Sequence, residues 1–238
     1  GKVPKGMYLS VDSPSRSIRP FAPGEAEPKT VLVSGEGHRV GTDEPPERYR
    51  VLASWLKERF AVTEPSHRWS AHDEISPDRL PYVGPIRPLN GRVLVATGFS
   101  KWGLAAGAGS AMILADLIEG VGNPAASTVS PNRLNVRQSA GRLLRHNAEV
   151  GVSFVADRLR KRASEERLAP GEGAIVGAGL RQQAVHRDDE GRLHRLSAKC
   201  THLGCIVSWN GAERTWDCPC HGSRFEADGS VLQGPAVE

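Results

Sequence analysis

The residues best suited to chemistry are four cysteines, all of them between Cys200 and Cys220. They fall into two groups, which run CTHLGC from Cys200 and CPCHGS from Cys218. A chain stapled by disulfides would spread its cysteines, so this clustering indicates a single site. Each group also places a histidine close to a cysteine, at His202 and at His221. Thiolate and imidazole are both metal ligands, and zinc bound by these residues is one interpretation.

The two groups resemble the cluster-binding loops of Rieske iron–sulfur proteins, and both loop motifs are complete. The resemblance implies a [2Fe-2S] cluster held by one cysteine and one histidine from each loop: Cys200, His202, Cys218 and His221. It implies a disulfide between the remaining pair, Cys205 and Cys220, which would clamp the loops together. It also implies a set of residues around the cluster: Leu203, Gly204, Pro219, Gly222, Ser223 and Phe225.

The residue types explain the chemistry that this resemblance implies. Two neutral imidazole ligands leave the oxidised site without net charge, whereas four thiolates would leave it negative. Electron uptake therefore costs less, and the reduction potential is higher than that of a four-cysteine cluster. Titration of the imidazoles couples electron uptake to proton uptake. By resemblance, Ser223 donates to a bridging sulfide, whereas Phe225 stands where high-potential members carry a tyrosine donor. We therefore expect a potential below that of the respiratory-chain members.

The residues around the two groups predict a small antiparallel β domain, a sandwich or a barrel. Short apolar segments alternate with turn residues such as Asn210-Gly211 and Asp228-Gly229, which are typical of hairpins. The cluster-binding loops would then lie at hairpin tips. The predicted strands are residues 173–176, 180–187, 193–198, 206–209, 214–217, 224–227 and 231–232.

A basic segment precedes this domain. Apolar residues recur at helical spacing between residues 142 and 159, which predicts an amphipathic helix in a linker spanning residues 131–165. A nucleic-acid-binding face and a membrane-surface helix are the alternatives. We expect no nucleic-acid partner because no such motif accompanies the charge. Asn147 and Asp157 interrupt the basic face, which argues against a membrane surface.

The first 130 residues predict an α+β region. Strands are predicted at 7–11, 30–34 and 92–97, the last of the buried type. A helix is predicted to begin near residues 42–47, with an apolar face at Tyr49, Leu52, Leu56 and Phe60. The strand at 92–97 runs through a glycine-rich loop into a small-residue helix that ends at Gly120. A helix start offers free N–H groups and partial positive charge, to which a flat or anionic ligand can come close.

This stretch, with Leu80-Pro-Tyr-Val-Gly-Pro85 before it, resembles the C-terminal part of FAD-dependent oxidoreductases of the D-amino-acid oxidase type, in members fused to a Rieske domain. The resemblance implies three parts: an oxidoreductase region at 1–130, the helical linker at 131–165 and the Rieske domain at 166–238. It also places a loop over the flavin ring, with the candidate residues Gly98, Phe99, Ser100, Lys101, Trp102 and Gly103.

One departure from the family is clear, because the Gly-x-Gly-x-x-Gly motif that holds the FAD pyrophosphate is missing. The nearest approaches, at residues 35–40 and 107–112, both lack the third glycine. We therefore expect this sequence to be the C-terminal portion of a longer enzyme, with FAD bound only in the intact protein. No catalytic residue is assigned.

The resemblance implies an intact enzyme that oxidises an amine or amino-acid substrate, with electrons passing from FAD to the cluster singly. A redox partner or the flavin half would dock near His202 and His221. One alternative is a stand-alone Rieske electron carrier without catalytic activity. Another is a ring-hydroxylating oxygenase with non-haem iron at His67, His72 and a carboxylate, which the C-terminal position of the Rieske motif opposes.

Composition excludes several classes. The 238 residues are 39% hydrophobic and include 26 glycines, which is ordinary for a globular protein and excludes a disordered or collagen-like chain. No run approaches the ~18 consecutive apolar residues of a membrane span. No signal peptide is visible, and we expect a cytoplasmic protein.

Overall fold

The computed structural model describes residues 4–21, 30–41, 45–60, 64–89, 91–133, 164–177 and 181–238, together with parts of 139–154. The chain divides into two compact units. The larger unit combines Gly1–Trp69 with Val150–Glu238, and the smaller unit is Ser70–Glu149. The part boundaries predicted at residues 130 and 165 stay predictions.

The C-terminal portion of the larger unit is built from antiparallel strands, as the sequence predicts. Three strands pair in chain order: β6 (Gly173–Val176), β7 (Gln183–Arg187) and β8 (Leu193–Ser197). Four more pair in the order β12-β11-β10-β9: β9 (Ser208–Asn210), β10 (Thr215–Asp217), β11 (Arg224–Phe225) and β12 (Val231–Gln233). One apolar core joins both sheets, with Ile175 and Ala184 from the first and Trp216 and Phe225 from the second.

The turns form where the sequence predicts them. Between β7 and β8, the Asp188 side chain accepts the Arg192 N–H at 2.7 Å, and Gly191 adopts a left-handed φ of +84°. Between β9 and β10 the loop is wider than a two-residue Asn-Gly turn, because Asn210 pairs with Thr215. The Asn210 side chain caps that loop by accepting the Ala212 N–H at 3.1 Å. Local hydrogen bonds thus fix the register that carries the two cysteine groups.

The N-terminal portion of the larger unit has its own sheet and one helix. The antiparallel strands are β1 (Tyr8–Leu9), β2 (Ser17–Phe21) and β3 (Thr30–Ser34). Helix α1 covers Pro45–Phe60, and its predicted apolar face is confirmed at Leu56, which is buried. The strand at 30–34 is confirmed, whereas the one predicted at 7–11 is only two residues long.

The smaller unit is a hairpin followed by helices. Strands β4 (Tyr82–Pro85) and β5 (Leu94–Thr97) pair antiparallel, and helix α2 (Gly103–Glu119) and helix α3 (Ala126–Val129) follow. Gly120 ends α2 in the left-handed conformation, as predicted. The buried character predicted for residues 92–97 is wrong, because Val93 is 45% exposed and the later residues of β5 face solvent.

The described residues of the predicted linker are helical between 139 and 154, while residues 155–163 lie outside the described part. Val150 packs against the apolar core, but Leu144 is exposed, so the predicted apolar face is only partly buried. Among the described helices, none combines the length and the apolar character that a bilayer crossing requires.

A buried ion pair stabilises the smaller unit. Arg133 donates to both carboxylate oxygens of Asp78 at 2.7 Å and lies over the Tyr82 ring at 4.0 Å. Both charged side chains are almost fully buried.

Arg133→Ala would leave the buried Asp78 carboxylate without this partner, so we expect the free energy of unfolding to fall by about 3–5 kcal/mol. Urea denaturation followed by circular dichroism measures the loss. Arg92→Ala, at an exposed arginine of the same unit, is the control and should change stability by less than ~0.5 kcal/mol. Equal effects of the two substitutions would contradict this role for the ion pair.

Candidate metal centre

The first cysteine group forms a closed loop between β8 and β9. The Cys200 N–H donates to the Cys205 carbonyl at 2.8 Å, and the Gly204 N–H donates to the Cys200 carbonyl at 2.9 Å. Gly204 has a left-handed φ of +74°, which glycine adopts without steric cost. The backbone itself therefore holds the ends of this loop together.

The second group closes in the same way between β10 and β11. The Cys218 N–H donates to the Ser223 carbonyl at 2.8 Å, and the Gly222 N–H donates to the Cys218 carbonyl at 3.1 Å. Gly222 is again left-handed, with a φ of +81°. The two loops are thus matching structures, although only the second joins paired strands, while the first is flanked by the single Lys199–Ile206 bridge.

A disulfide between Cys205 and Cys220 joins the two loops. The sulfur atoms of Cys205, Cys218 and Cys220 lie within 4.8 Å of one another. Two of those sulfurs are bonded to each other, so the thiols left as metal ligands are Cys218 and Cys200, both free and buried. Within the described residues, no other group of three metal-binding side chains comes as close together.

The two free thiols lie side by side in a ring of N–H donors. The Cys218 thiol donates to the Cys200 sulfur, which also accepts the backbone N–H groups of His202 and Leu203, and together they lower the pKa of Cys200. The same pairing and burial raise the pKa of Cys218, whose sulfur accepts the backbone N–H groups of Cys220 and His221. Backbone N–H donors therefore point at both sulfurs, and such donors favour the thiolate form that binds a metal.

The two histidines lie together on the outer side of the loops. The His202 and His221 ring centroids are 4.9 Å apart and meet edge to face. His221 is exposed and His202 half-buried, whereas the free cysteines are at most 3% exposed. Two buried cysteine sulfurs and two outer imidazoles match the donor set of a [2Fe-2S] site with cysteines on one iron and histidines on the other.

The chain matches two protein families. Residues 161–238 match the Rieske [2Fe-2S] domain, and residues 4–117 match the family of FAD dependent oxidoreductases. This chain joins a region of the FAD-dependent oxidoreductase family to a Rieske domain. The sequence resemblance is confirmed in both parts, and these are domains of the kinds that bind a [2Fe-2S] cluster and FAD.

Relatives are found for the whole chain and for the Rieske domain alone. The Rieske 2Fe-2S iron–sulfur protein YhfW of Bacillus subtilis is 38% identical over 100% of this chain and 47% of its own length. Cytochrome b6-f complex iron–sulfur subunit 2 of Synechocystis is 50% identical over 22% of this chain and 29% of its own length. The chain therefore spans about half the length of YhfW and less of the second relative.

A solved structure also matches part of the chain. The cyanobacterial plasma membrane Rieske protein PetC3 from Synechocystis is 34% identical, covers 28% of this chain and 68% of its own, and has a TM-score of 0.26.

The residues predicted around the cluster lie in or beside the two loops. Ser223 is fully buried, and its hydroxyl accepts the Ala236 N–H at 3.0 Å and donates to the Cys200 sulfur. Phe225 lies in the apolar core of the Rieske domain, opposite Trp216 in the ladder. Leu203 is 61% exposed beside the histidines, whereas Pro219 is buried. Gly204 and Gly222 are the loop-closing glycines described above.

The predicted flavin-facing loop, Gly98–Gly103, belongs to the smaller unit. Gly98 and Ser100 are left-handed, and the Ser100 N–H donates to the Glu74 carbonyl at 3.0 Å. Lys101 Nζ lies 3.8 Å from the Asp73 carboxylate, and Trp102 is 66% exposed. Phe99 pairs with Ile75 in a single β-bridge. The loop is thus a tight turn at the start of α2, in which Lys101 and Trp102 are exposed while Phe99 and Ser100 are half-buried.

The alternative iron site at His67 and His72 finds no support. Among the described residues, only cysteines form a compact group of metal-binding side chains. His67 is exposed and contacts the Ser66 hydroxyl at 3.2 Å.

The sequence does not reveal a buried charged network at the end of β10. Arg224 donates to Asp217 at 3.1 Å and forms an ion pair with Glu213, and its side chain is only 7% exposed. Asp217 directly precedes Cys218, so this network anchors the second loop. No local pattern indicates it, because its members come together only through the pairing of β9, β10 and β11.

We expect Ser223→Ala to lower the midpoint potential, because the substitution removes a donor to the Cys200 sulfur and so destabilises the reduced form. A lost hydrogen bond of about 1 kcal/mol changes the reduction equilibrium about fivefold. A redox titration followed by circular dichroism measures the shift. Ser230→Ala, at an exposed serine of the neighbouring turn, is the control and should leave the potential unchanged. A potential that rises or stays the same in Ser223→Ala would contradict this role.

Proposed function

We propose that this chain is the electron-transferring part of an FAD-dependent oxidoreductase that acts on an amine or amino-acid type of small molecule. When bound, a [2Fe-2S] cluster supplies a one-electron site that takes electrons from the flavin one at a time. The observation that carries the proposal is the convergence of two closed loops, with two free thiols buried beneath two outer imidazoles.

In this proposal, Cys200 and Cys218 bind one iron and His202 and His221 bind the other. The thiolates are the natural ligands of the inner iron because four backbone N–H groups already point at the two sulfurs. The imidazoles lie on the outer side of the loops, where His221 is exposed to water. The disulfide keeps both loops in place whether or not iron is bound.

The outer face of the loops is where we expect a redox partner or the flavin-binding part of the protein to dock. His221 is exposed there, and Leu203 adds an exposed apolar side chain next to the histidines. An apolar contact around a redox centre excludes water and lets a partner come close. The second domain belongs to an FAD-dependent family, so we expect flavin-bound electrons to arrive at this face.

The smaller unit supports a flavin role for the loop Gly98–Gly103. It leads into α2, whose N-terminal amides favour negative charge such as that of a reduced flavin. Residues Gly103, Gly107 and Gly109 leave open space around the first turns of the helix. The exposed face of α2 is apolar, with Leu104 96% and Met112 71% exposed, as is typical of a surface that another polypeptide covers.

The first test is the flavin released by acid from the purified protein, per mole of chain. We expect iron to be present and flavin to be far below one per chain, because no Gly-x-Gly-x-x-Gly motif is available for the pyrophosphate. Flavin near one per chain would contradict the view that this sequence alone cannot hold FAD.

The second test uses protein reconstituted with its flavin-binding part and supplied with amines and amino acids under anaerobic conditions. We expect a substrate of this class to bleach the flavin and then the visible absorption of the iron–sulfur site, and Cys218→Ser to lose only the second step. Flavin reduction that never reaches the iron–sulfur site would contradict the proposal. An iron–sulfur site that is reduced by external reductants but not by any substrate would favour the stand-alone electron carrier.

A further inference from the structure

A loop of the oxidoreductase-family region reaches the second cluster loop of the Rieske domain. Gly41 has a left-handed φ of +70° and lies directly against the backbone on both sides of Cys218. A Cβ at Gly41 would come within 2.8 Å of the Pro219 nitrogen and 3.0 Å of the Asp217 carbonyl oxygen. Only glycine can bring its backbone this close, so the contact depends on the residue type at position 41.

A hydroxyl links the same two pieces of backbone. Ser208 Oγ lies 3.0 Å from the Gly41 carbonyl oxygen and 3.3 Å from the Asp217 carbonyl oxygen, and it donates between them. Ser208 belongs to β9, which pairs with the strand that leads into Cys218. The Gly41 contact is therefore hydrogen-bonded to the sheet that positions the loop.

A second connection runs from helix α1 to the same place. The Tyr49 hydroxyl donates to Glu213 at 2.6 Å, Glu213 pairs with Arg224, and Arg224 pairs with Asp217. Burial and the neighbouring Glu213 raise the pKa of Tyr49, so the phenol stays protonated and donates its hydrogen to Glu213. Both connections end on Asp217, the residue before Cys218.

The contacted loop supplies hydrogen bonds that bear on the reduction potential. The backbone N–H groups of Cys220 and His221 donate to the Cys218 sulfur. One-electron reduction adds negative charge to the site, and N–H donors to a ligand sulfur stabilise that charge. Pro219 lies between Cys218 and these donors, so moving Pro219 changes both hydrogen bonds.

We propose that Gly41 is a positioning residue of the Rieske domain: its close contact with Pro219 holds the N–H donors on the Cys218 sulfur and so raises the potential of the site. The oxidoreductase-family region then sets the potential of the domain that receives its electrons. This inference rests on the proposed function, because it requires Cys218 to be a cluster ligand.

The test compares Gly41→Ala with Gly191→Ala in the full chain. Gly191 is also left-handed, with a φ of +84°, but a Cβ there meets nothing within 4 Å, so this variant controls for backbone strain alone. We expect Gly41→Ala to make the reduction constant about tenfold smaller, a fall of ~59 mV for one electron. Its electron paramagnetic resonance g values should also shift, while Gly191→Ala keeps the wild-type potential and spectrum.

A fully loaded Gly41→Ala protein with the potential and spectrum of Gly191→Ala would overturn the inference. If Gly41→Ala does not fold, the potential of Ser208→Ala tests the inference instead. This substitution removes the hydroxyl that links the Gly41 and Asp217 carbonyls and introduces no steric clash. We expect it to make the reduction constant about two- to fivefold smaller. A Ser208→Ala potential equal to that of Ser230→Ala would overturn the inference. Wild-type protein without an iron–sulfur spectrum would instead contradict the proposed function, before any variant is compared.

Discussion

The structure of the Rieske domain depends on holding two cysteine sulfurs, Cys200 and Cys218, close together beneath the surface. Two like charges at Cys200 and Cys218 would repel each other in a buried site, so each sulfur must be stabilised by fixed donors. The backbone provides these donors, because each loop turns its own N–H groups toward its cysteine. This explains the loop-closing hydrogen bonds, the left-handed glycines Gly204 and Gly222, and the disulfide that joins the loops.

The same arrangement separates the two sides of the site by their exposure to water. The cysteines belong to the apolar core with Trp216 and Phe225, while His221 is exposed and His202 is half-buried. The cysteine sulfurs are thus shielded from water, whereas His221 is accessible to it. Behind the cysteines, the buried pair of Arg224 and Asp217 fixes the strand that leads into the second loop. Such an ion pair keeps the strand in place, because removing either partner would leave a buried charge without compensation.

The local features of the Rieske domain could be predicted from the sequence. The metal-binding loops and their hairpins depend on short spacings and on turn residues such as Asp228-Gly229, so the pattern carries most of the information. Contacts between residues far apart in the sequence have no local sequence pattern that would predict them. Gly41 approaching Pro219, and Tyr49 donating to Glu213, join residues far apart in sequence through the packing of complete elements. The exposure of β5 was mispredicted for a related reason, because an apolar run does not reveal whether a second layer covers it.

In the proposed function, Cys200, His202, Cys218 and His221 hold a [2Fe-2S] cluster. Pulsed electron paramagnetic resonance of the reduced protein, with iron and acid-labile sulfide measured on the same sample, tests it most directly. We expect two irons and two sulfides per chain and hyperfine couplings to two imidazole nitrogens. One tightly bound zinc without sulfide, or an iron–sulfur spectrum without nitrogen coupling, would contradict it.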